Sequence, residues 1–257
     1  MFFKRNIDEV KRKLHSNIRR LENNSEVQKL KSLDLKEEFM DRLIALNMIK
    51  NEDEKQRAIE SLKFLALKIP ELKGWPEDKV KFWDMEATRW GLQISSDVRE
   101  AIKQEILKRI AKNGYSLEIG CGACPVIDGS GATAMDVSEE MLSYIDKEKY
   151  GSVICADAEN KIPFGNKSFD SVLMVFVVNY LKNLENVLSE IKRVLKKDGK
   201  IIIIQSDFID RWYEIQEAKS YLANELKKII SKAGFAVKIG RISIGKKELV
   251  VLEAKAK

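Results

Sequence analysis

Apolar residues recur every three or four positions from residue 7 to about residue 113, which is the spacing of amphipathic helices. Charged and polar residues fill most of the positions between them. The pattern therefore predicts that the first part of the chain is entirely helical. The apolar stripes run over Ile7 to Leu21, Leu35 to Leu46, Ala58 to Leu67 and Val98 to Ile110.

Start and stop signals separate these stripes. Asp34 with Glu37 has the spacing of a capping box, and Asn51 is a predicted N-cap in front of three acidic residues. Pro70 is expected to end the third predicted helix, because the residue before a proline is biased away from helical geometry.

A fourth and a fifth helix follow from the same reasoning. Pro76 suits the first position of a helix, and Gly91 suits a left-handed C-terminal cap. The fifth helix is predicted over about residues 97–112, where Gly114 stops it.

After Gly114 the pattern changes to short β-rich runs that alternate with helical runs at 138–149 and 183–197. The last two β-rich runs are apolar almost throughout, as strands buried on both faces of a parallel sheet are. A final helix is expected at about 211–233, followed by a hairpin around Gly245 and Lys246. The predicted strands are SLEIG (116–120), GATAMDV (131–137), SVICAD (152–157), SFDSVLMVFVV (168–178) and GKIIIIQ (199–205).

Such alternation is typical of α/β proteins with a doubly wound, Rossmann-like sheet and right-handed crossovers. The fold class predicted here is this sheet with a C-terminal antiparallel hairpin, preceded by an N-terminal helical cap. The predicted domain boundary lies between residues 95 and 96, which gives a helical region over 1–95 and an α/β domain over 96–257.

Composition limits the chemistry that the chain can perform. Three cysteines cannot build a disulfide framework, and with a single histidine, His15, they are poorly placed for a tetrahedral zinc site. No metal is therefore expected. The same shortage of histidine argues against a Ser-His-Asp or Cys-His catalytic centre.

The apolar runs also bear on location. The longest, at 172–178 and 201–204, fall far short of the roughly 18 residues that span a bilayer. Charges follow Met1 closely, where a signal peptide needs an apolar region. A globular protein of the cytoplasm without a transmembrane segment is the expectation.

Positive charge is concentrated at the N-terminus. The net charge is +6, and residues 1–20 carry seven basic and two acidic residues. A basic amphipathic helix of this kind can meet an anionic membrane or nucleic acid. More commonly its apolar stripe packs on the protein's own body while the lysines and arginines are solvated.

The stretch SLEIGCGACPVIDGSG at 116–131 carries the most chemical information. Gly120 and Gly122 directly follow the first predicted strand, where a sharp turn lets a ligand approach the backbone. The second strand ends at Asp136 and the third at Asp157. These carboxylates can accept hydrogen bonds from ribose hydroxyls and from the exocyclic amine of adenine. The sequence therefore predicts a nucleoside pocket.

A dinucleotide is not the expected ligand. Pro125 stands where the dinucleotide fingerprint has its last glycine, and no long helix follows to bind a pyrophosphate. Small residues crowded in a turn also explain the spacing of Cys121 and Cys124 better than a redox or metal pair does.

Four blocks occur in one order: LEIGCGACP, AMDVSEEML, ADAENKIPFGNKSFDSVLMVFVVNYL and EIKRVLKKDGKIIII. In that order they resemble the motifs of class I S-adenosylmethionine-dependent methyltransferases of the methyltransferase type 11 kind, which include quinone and small-molecule methyltransferases. The resemblance covers about residues 96–257. It implies S-adenosylmethionine as cofactor, S-adenosylhomocysteine as product, and a cap that selects the substrate.

The resemblance also implies a set of cofactor contacts. They follow the order of the motifs, from the methionine end through the ribose and adenine to the sulfonium. The residues implied are Glu118, Gly120, Cys121, Gly122, Asp136, Val137, Met141, Asp157, Ala158, Val175 and Phe176.

The acceptor side is indicated by position alone. By analogy Asn179 and Tyr180 face the substrate, and the segment before the fifth helix suggests lid residues Trp83, Arg89 and Trp90. Methyl transfer from a sulfonium is an in-line displacement in which positioning supplies much of the acceleration. If the acceptor must lose a proton, the candidate bases are Tyr180, Asp207 and Asn179 through water. No catalytic residue is assigned.

Two departures from the family pattern are expected to alter the pocket. Cys124 replaces the third glycine of the first motif. Only seven residues separate it from the second strand, so the usual first helix must shrink to about one turn.

The function predicted from these observations is methyl transfer from S-adenosylmethionine to a small-molecule or lipid-like acceptor. Two alternatives stay open at this point. One is an RNA or DNA methyltransferase that uses the basic N-terminal helix, and the other is a non-catalytic module that binds the cofactor. A nicotinamide oxidoreductase is disfavoured because the phosphate-binding helix is missing.

Overall fold

The computed structural model describes residues 25–206, 216–245 and 247–256. The chain divides into two compact units, Met1–Trp75 and Pro76–Lys257. The described helices are α1 (Ser25–Ala45), α2 (Glu52–Ala66), α3 (Lys79–Gln93), α4 (Ser96–Leu107), α5 (Glu139–Ser143), α6 (Leu184–Val194) and α7 (Ala223–Lys232). The described strands are β1 (Ser116–Ile119), β2 (Gly129–Asp136), β3 (Tyr150–Cys155), β4 (Phe169–Val175), β5 (Leu195–Gln205), β6 (Phe235–Ile244) and β7 (Lys247–Ala256).

The first unit contains α1 and α2, which bury their apolar stripes against each other. Phe39 and Leu43 of α1 and Leu62 of α2 are fully buried. Trp75 meets Phe39 edge to face at a ring-centroid distance of 4.9 Å. Asn51 caps α2 as predicted, because its side chain accepts a hydrogen bond from the Glu54 N–H at 3.0 Å.

The predicted capping box at Asp34 is wrong. The helix α1 runs from Ser25 through Asp34 to Ala45 without a break. Neither glycine nor proline interrupts this stretch, and an aspartate inside a helix costs less than about 1 kcal/mol, so a local cap signal cannot end the helix there. The predicted helix over Ile7 to Leu21 lies outside the described residues.

The helix α3 begins and ends later than its signals indicated. Asp78, not Pro76, starts it, since the Asp78 side chain accepts a hydrogen bond from the Lys81 N–H at 3.1 Å. At the other end, Gly91 lies inside the helix, which continues to Gln93. The predicted boundary at 95/96 placed this helix with the cap, whereas the compact unit that contains it begins at Pro76.

The described strands form a seven-stranded sheet with the order β3-β2-β1-β4-β5-β7-β6. The strands β1 to β5 pair in parallel, and β7 pairs antiparallel with both β5 and β6. This confirms the predicted α/β sheet with a C-terminal hairpin. Because β1 lies between β2 and β4, the strand order reverses beside it, and ligands of such sheets bind at the carboxyl ends of the strands at that point.

Helices cover both faces of the sheet. On one face α6 and α7 bury residues such as Val187, Ile191 and Leu226. On the other, Ile102 and Ile106 of α4 pack on the strands. The helix α7 begins later than predicted, because residues 217–222 are not helical; the predicted start at about 211 lies outside the described residues. In the described residues, no helix is long and apolar enough to cross a membrane.

The central strand β5 sets a first testable prediction. Ile202 is fully buried and pairs with Leu173 of β4 on one side and Glu253 of β7 on the other. Replacing it with alanine leaves a cavity between sheet and helix, so Ile202→Ala should lower the free energy of unfolding by about 2–5 kcal/mol. Denaturant-induced unfolding measures this loss.

Leu107→Ala provides the matched control. Leu107 ends α4 and is 47% exposed, so this change should cost less than about 1 kcal/mol. Equal losses for the two variants would contradict the placement of β5 at the centre of the sheet.

Candidate functional site

The turn after β1 is built on two glycines. Gly120 and Gly122 have φ angles of +63° and +60°, the left-handed region in which side chains are strained. A Cβ on Gly120 would lie 2.3 Å from Val177 Cγ2, and one on Gly122 would lie 3.3 Å from Trp90 Cδ1. The turn therefore excludes a side chain at Gly120 and keeps its backbone open toward a ligand.

Asp136 holds this turn from the end of β2. Its two carboxylate oxygens accept hydrogen bonds from the Gly122 N–H at 2.8 Å and the Ser138 N–H at 3.0 Å. Burial raises the pKa of Asp136, and these backbone hydrogen bonds oppose the rise. The side chain also lines the cavity above the turn, where its remaining lone pairs can accept hydrogen bonds from hydroxyl groups.

Asp157, two residues beyond β3, is held by the first residue of α3. Lys79 Nζ lies 2.6 Å from Asp157 Oδ2 and 2.9 Å from Glu159 Oε2. Burial lowers the pKa of Lys79, but the hydrogen bonds to both carboxylates outweigh it and raise the net pKa above 10.5. Lys79 therefore stays charged and fixes the orientation of Asp157 in the cavity wall.

A second polar contact attaches α3 to the sheet. Ser138 Oγ donates to Asp84 Oδ1 at 2.6 Å and accepts from the Met141 N–H at 3.0 Å, which caps α5. The same side chain thus connects α3 with the start of α5. The contact fixes α3 along the carboxyl ends of β2 and β3.

Aromatic side chains form a further part of the cavity wall, beside the turn. The rings of Trp83 and Tyr180 meet edge to face at 4.9 Å, and Trp83 meets Trp90 at 5.9 Å. Phe176, directly after β4, has a φ of +56°, and its N–H donates to the Ile204 carbonyl at 2.8 Å. A non-glycine residue in this conformation is costly, and such strain is concentrated at functional sites.

These groups surround one cavity, whose empty space of about 620 Å³ includes its opening to solvent. Most residues expected in the site line it. The predicted residues in its wall are Trp83, Trp90, Gly120, Gly122, Asp136, Val137, Met141, Asp157, Ala158, Phe176 and Tyr180.

Sequence reasoning missed six lining residues: Lys79, Ile119, Ala156, Glu159, Val177 and Leu181. Five of them are next to predicted residues in the sequence, so the strand-end argument could have reached them. Lys79 carried no such signal, because it arrives from a helix nearly eighty residues away in sequence from Asp157.

Three of the expected cofactor contacts lie outside the wall of this cavity. Glu118 is 2% exposed and is one of them. Cys121 is buried under the turn against Ala134 and Leu142, and burial raises the pKa of its thiol. Val175 lines a neighbouring, smaller cavity.

Glu118 organises the connection between β1 and β2. One carboxylate oxygen accepts hydrogen bonds from the Val126 N–H at 2.9 Å and the Ile127 N–H at 3.4 Å, and the other accepts from Val126 at 3.1 Å. The expected one-turn helix after Cys124 is absent, since the residues between Ile119 and Gly129 adopt turns and irregular structure. The Glu118 side chain accepts the hydrogen bonds of the Val126 and Ile127 N–H groups, so these backbone donors are satisfied without a helix.

The residues predicted on the acceptor side fall into two groups, those that line the cavity and those that are buried outside its wall. Trp83, Trp90 and Tyr180 line the cavity. Arg89 is buried within α3, outside the cavity wall, with its guanidinium 2.6 Å from Glu86 Oε2. Asn179 is also buried outside the cavity wall.

Other predictions concern residues that the structure does not describe or chemistry it does not test. Asp207 and the basic segment over residues 1–20 lie outside the described residues. Among those described, no group of His, Cys, Asp and Glu side chains is arranged to hold a metal ion.

Comparison with known proteins agrees with this geometry. Residues 117–203 match the model of a methyltransferase domain family. An uncharacterized protein of Methanocaldococcus jannaschii is 35% identical over 146 residues, which cover 51% of this chain and 69% of that protein. A demethylmenaquinone methyltransferase of Thermotoga maritima is 28% identical over 119 residues, 46% of this chain and 50% of that enzyme. The chain therefore spans between half and about seven tenths of the length of these relatives.

Solved structures share the fold. A crystal structure of an S-adenosylmethionine-dependent methyltransferase from Thermotoga maritima superposes with a TM-score of 0.55. The two chains are 22% identical, and the match covers 68% of this chain and 98% of the other. At this identity the likeness supports the architecture alone.

The reversed strand order, the glycine turn and the two carboxylates at successive strand ends define the class I methyltransferase architecture. The chain belongs to the family of S-adenosylmethionine-dependent methyltransferases, and S-adenosylmethionine is the cofactor of this family.

The buried Glu118 yields a prediction about pH. Burial raises the pKa of Glu118 from 4.5 to about 8, even though the backbone hydrogen bonds lower it. Because the folded state binds this proton more tightly than the unfolded chain, its stabilising effect is complete below pH 4.5. The effect is lost as the pH rises toward about 8. Glu118→Gln keeps an oxygen acceptor but cannot titrate, so its unfolding free energy should fall less between pH 5 and pH 8.

The difference between the two pH profiles should reach a few kcal/mol, on the order of 1.4 per pKa unit. Denaturant unfolding at pH 5, 6, 7 and 8 measures it. Glu148→Gln, on the exposed turn before β3, is a control that should keep the wild-type profile. Parallel profiles for wild type and Glu118→Gln would show that the buried carboxyl does not titrate in this range.

Proposed function

We propose that the protein transfers the methyl group of S-adenosylmethionine to a small-molecule or lipid-like acceptor. One observation carries the proposal: Asp136 and Asp157 stand at successive strand ends in the same cavity as an aromatic wall. The carboxylates suit the polar half of the cofactor, and the aromatic wall suits an apolar acceptor.

The residues present fit S-adenosylmethionine by their chemistry. Asp136 would accept hydrogen bonds from the ribose hydroxyls, and Asp157, held by Lys79, would accept from the adenine amine. The aliphatic side chains of Val137 and Met141 would contact the adenine faces. When bound, the cofactor supplies a methyl group on a positively charged sulfur, which is an activated leaving group.

The chain's own contribution is to place the acceptor and exclude water. Phe176 stands at the end of β4, and its strained backbone directs the ring into the cavity wall. Trp83, Trp90 and Tyr180 also line the cavity, where an acceptor can be held in line for displacement. Of the two proposed bases that the structure describes, Tyr180 lines the cavity and Asn179 does not, which supports Tyr180 as the group that takes a proton from an acceptor.

The printed names of the relatives favour a small or lipid-like acceptor over nucleic acid. They include demethylmenaquinone methyltransferases and a sterol 4-C-methyltransferase of Caenorhabditis elegans. The mainly apolar and aromatic wall fits that class of acceptor better than a polyanion. The roles of residues 1–95 as a substrate-selecting cap and of the cytoplasm as location stay predictions.

Label transfer tests the proposal directly. The protein is incubated with methyl-labelled S-adenosylmethionine and fractionated cell extract, and label is measured in lipid, small-metabolite, RNA and protein fractions. Label in lipid or small metabolites is expected. Label confined to RNA or DNA would contradict the acceptor class, and binding without any labelled product would favour a regulatory module.

Cofactor binding gives a second prediction. Asp136→Asn preserves the size of the side chain but replaces an acceptor oxygen with a donor that faces the N–H of Gly122 or Ser138. It should weaken binding of S-adenosylhomocysteine by at least about tenfold, as loss of one charge-assisted hydrogen bond does. Titration calorimetry measures the affinity, and NAD should not bind to the wild type.

Asp146→Asn is the matched control, since Asp146 pairs with Lys149 on the surface away from the cavity. It should bind as the wild type does. Unchanged affinity in Asp136→Asn, with a folded circular dichroism spectrum, would overturn the assignment of Asp136 to the cofactor.

A further inference from the structure

Three aromatic rings meet in the wall of the cavity. Trp83 and Trp90 lie about two helical turns apart on α3, and Tyr180 follows β4. The ring centroids lie 4.9 Å (Trp83–Tyr180), 5.9 Å (Trp83–Trp90) and 6.4 Å (Trp90–Tyr180) apart, and the ring planes cross at 77°, 88° and 85°. All three residues are half-buried, so part of each side chain stays accessible from the cavity.

The rings lie beside the place where the methyl group is proposed to react. Trp90 is next to the glycine turn, since a Cβ on Gly122 would lie 3.3 Å from Trp90 Cδ1. Tyr180 follows closely after Phe176, the residue that the resemblance sets beside the sulfonium. A group held between these rings is therefore next to the sulfur of the proposed cofactor.

Rings in this arrangement attract positive charge. The face of an aromatic ring is electron-rich, and a cation within about 6 Å of a ring centroid is stabilised. Because the three centroids are at most 6.4 Å from one another, one small cation in the cavity can be that close to all of them. Aromatic cages bind quaternary ammonium groups by the same attraction.

The carboxyl groups of the wall act in the same direction. Asp136, Asp157 and Glu159 line the cavity, and Lys79 is the basic side chain among the described lining residues. Three acidic side chains with one lysine give this part of the wall a negative potential. Such a potential favours a bound cation and disfavours an anion.

We propose that the methyl acceptor is an amine, and that its nitrogen receives the methyl group beside Trp83, Trp90 and Tyr180. The inference rests on the proposed function and narrows the acceptor to a small or lipid-like molecule that carries an amino group. The lone pair of the neutral amine forms the new N–C bond while the C–S bond breaks and leaves its electron pair on sulfur. Positive charge thereby moves from sulfur to nitrogen, and a proton on the nitrogen, where there is one, is released to water.

The charge of the wall separates an amine from other acceptors. A hydroxyl, a thiol or an activated carbon reacts as an anion, which the carboxylates would repel. An amine enters neutral and leaves with the positive charge. The rings therefore stabilise that charge on sulfur before the transfer and on nitrogen after it. Trp83, Trp90 and Tyr180 are thus proposed to determine which atom of the acceptor is methylated.

A pair of isosteric probes tests the cation site. The protein is saturated with S-adenosylhomocysteine and titrated with choline, which reproduces the charge present after transfer, or with 3,3-dimethylbutan-1-ol, in which carbon replaces the charged nitrogen. NMR titration measures both Kd values. Choline should bind about tenfold more tightly than the neutral probe. Trp83→Leu should remove most of this preference, and Trp83→Phe should keep more of it because a ring remains.

Tyr115→Leu is the matched control, because Tyr115 is an exposed ring beside Lys196 and lies outside this cavity wall. It should change neither affinity. Equal affinities for the two probes, binding of neither, or a preference for choline that Trp83→Leu leaves intact would each overturn the inference. Failure of the wild type to bind S-adenosylhomocysteine would instead refute the proposed cofactor site, and the inference with it.

The methylated product provides a second readout. After incubation of cell extract with methyl-labelled S-adenosylmethionine, NMR of the purified product identifies the atom that carries the label. A methyl group on nitrogen is expected. A methyl group on oxygen, carbon or sulfur would overturn the inference and leave the proposed methyl transfer standing, whereas the absence of any labelled product would contradict the proposed function itself.

Discussion

The hydrogen bonds that Asp136 accepts from Gly122 and Ser138 join three parts of the molecule that the site requires. They fix the turn after β1, the end of β2 and the start of α5 to one carboxylate. Because that carboxylate is buried, its backbone partners offset part of the cost of removing it from water. Loss of this arrangement would release the turn as well as the ligand contact, so fold and site depend on the same side chain.

A second buried carboxylate completes the same region. Glu118, one strand away, accepts hydrogen bonds from the loop that replaces the first helix of the family. The two acids have different positions: Asp136 lines the cavity, whereas Glu118 lies outside its wall. Glu118, near the end of β1, therefore supports the loop that follows this strand.

Helix α3 shows why part of the site escaped sequence reasoning. Its aromatic residues and its place before the sheet could both be read from the chain. Its attachment could not, because Lys79 meets Asp157 and Asp84 meets Ser138 across long separations in sequence. Arg89 shows the same limit, since the sequence does not tell that this arginine is buried and pairs with Glu86. Two local signals, the capping box at Asp34 and the helix end at Gly91, were likewise wrong, because a helix continues through each position.

The sequence by itself determined the alternation of strands and helices, the C-terminal hairpin and the glycine turn with acids at two strand ends. These features depend on the spacing of apolar residues and on residues such as glycine that favour particular backbone conformations. Both are local properties of the sequence. Only the tertiary structure decided which side chains face the cavity, how the loop after β1 is held without the expected helix, and that Lys79 fixes Asp157. Those outcomes depend on packing and ion pairs between distant segments, whose energies no local pattern records.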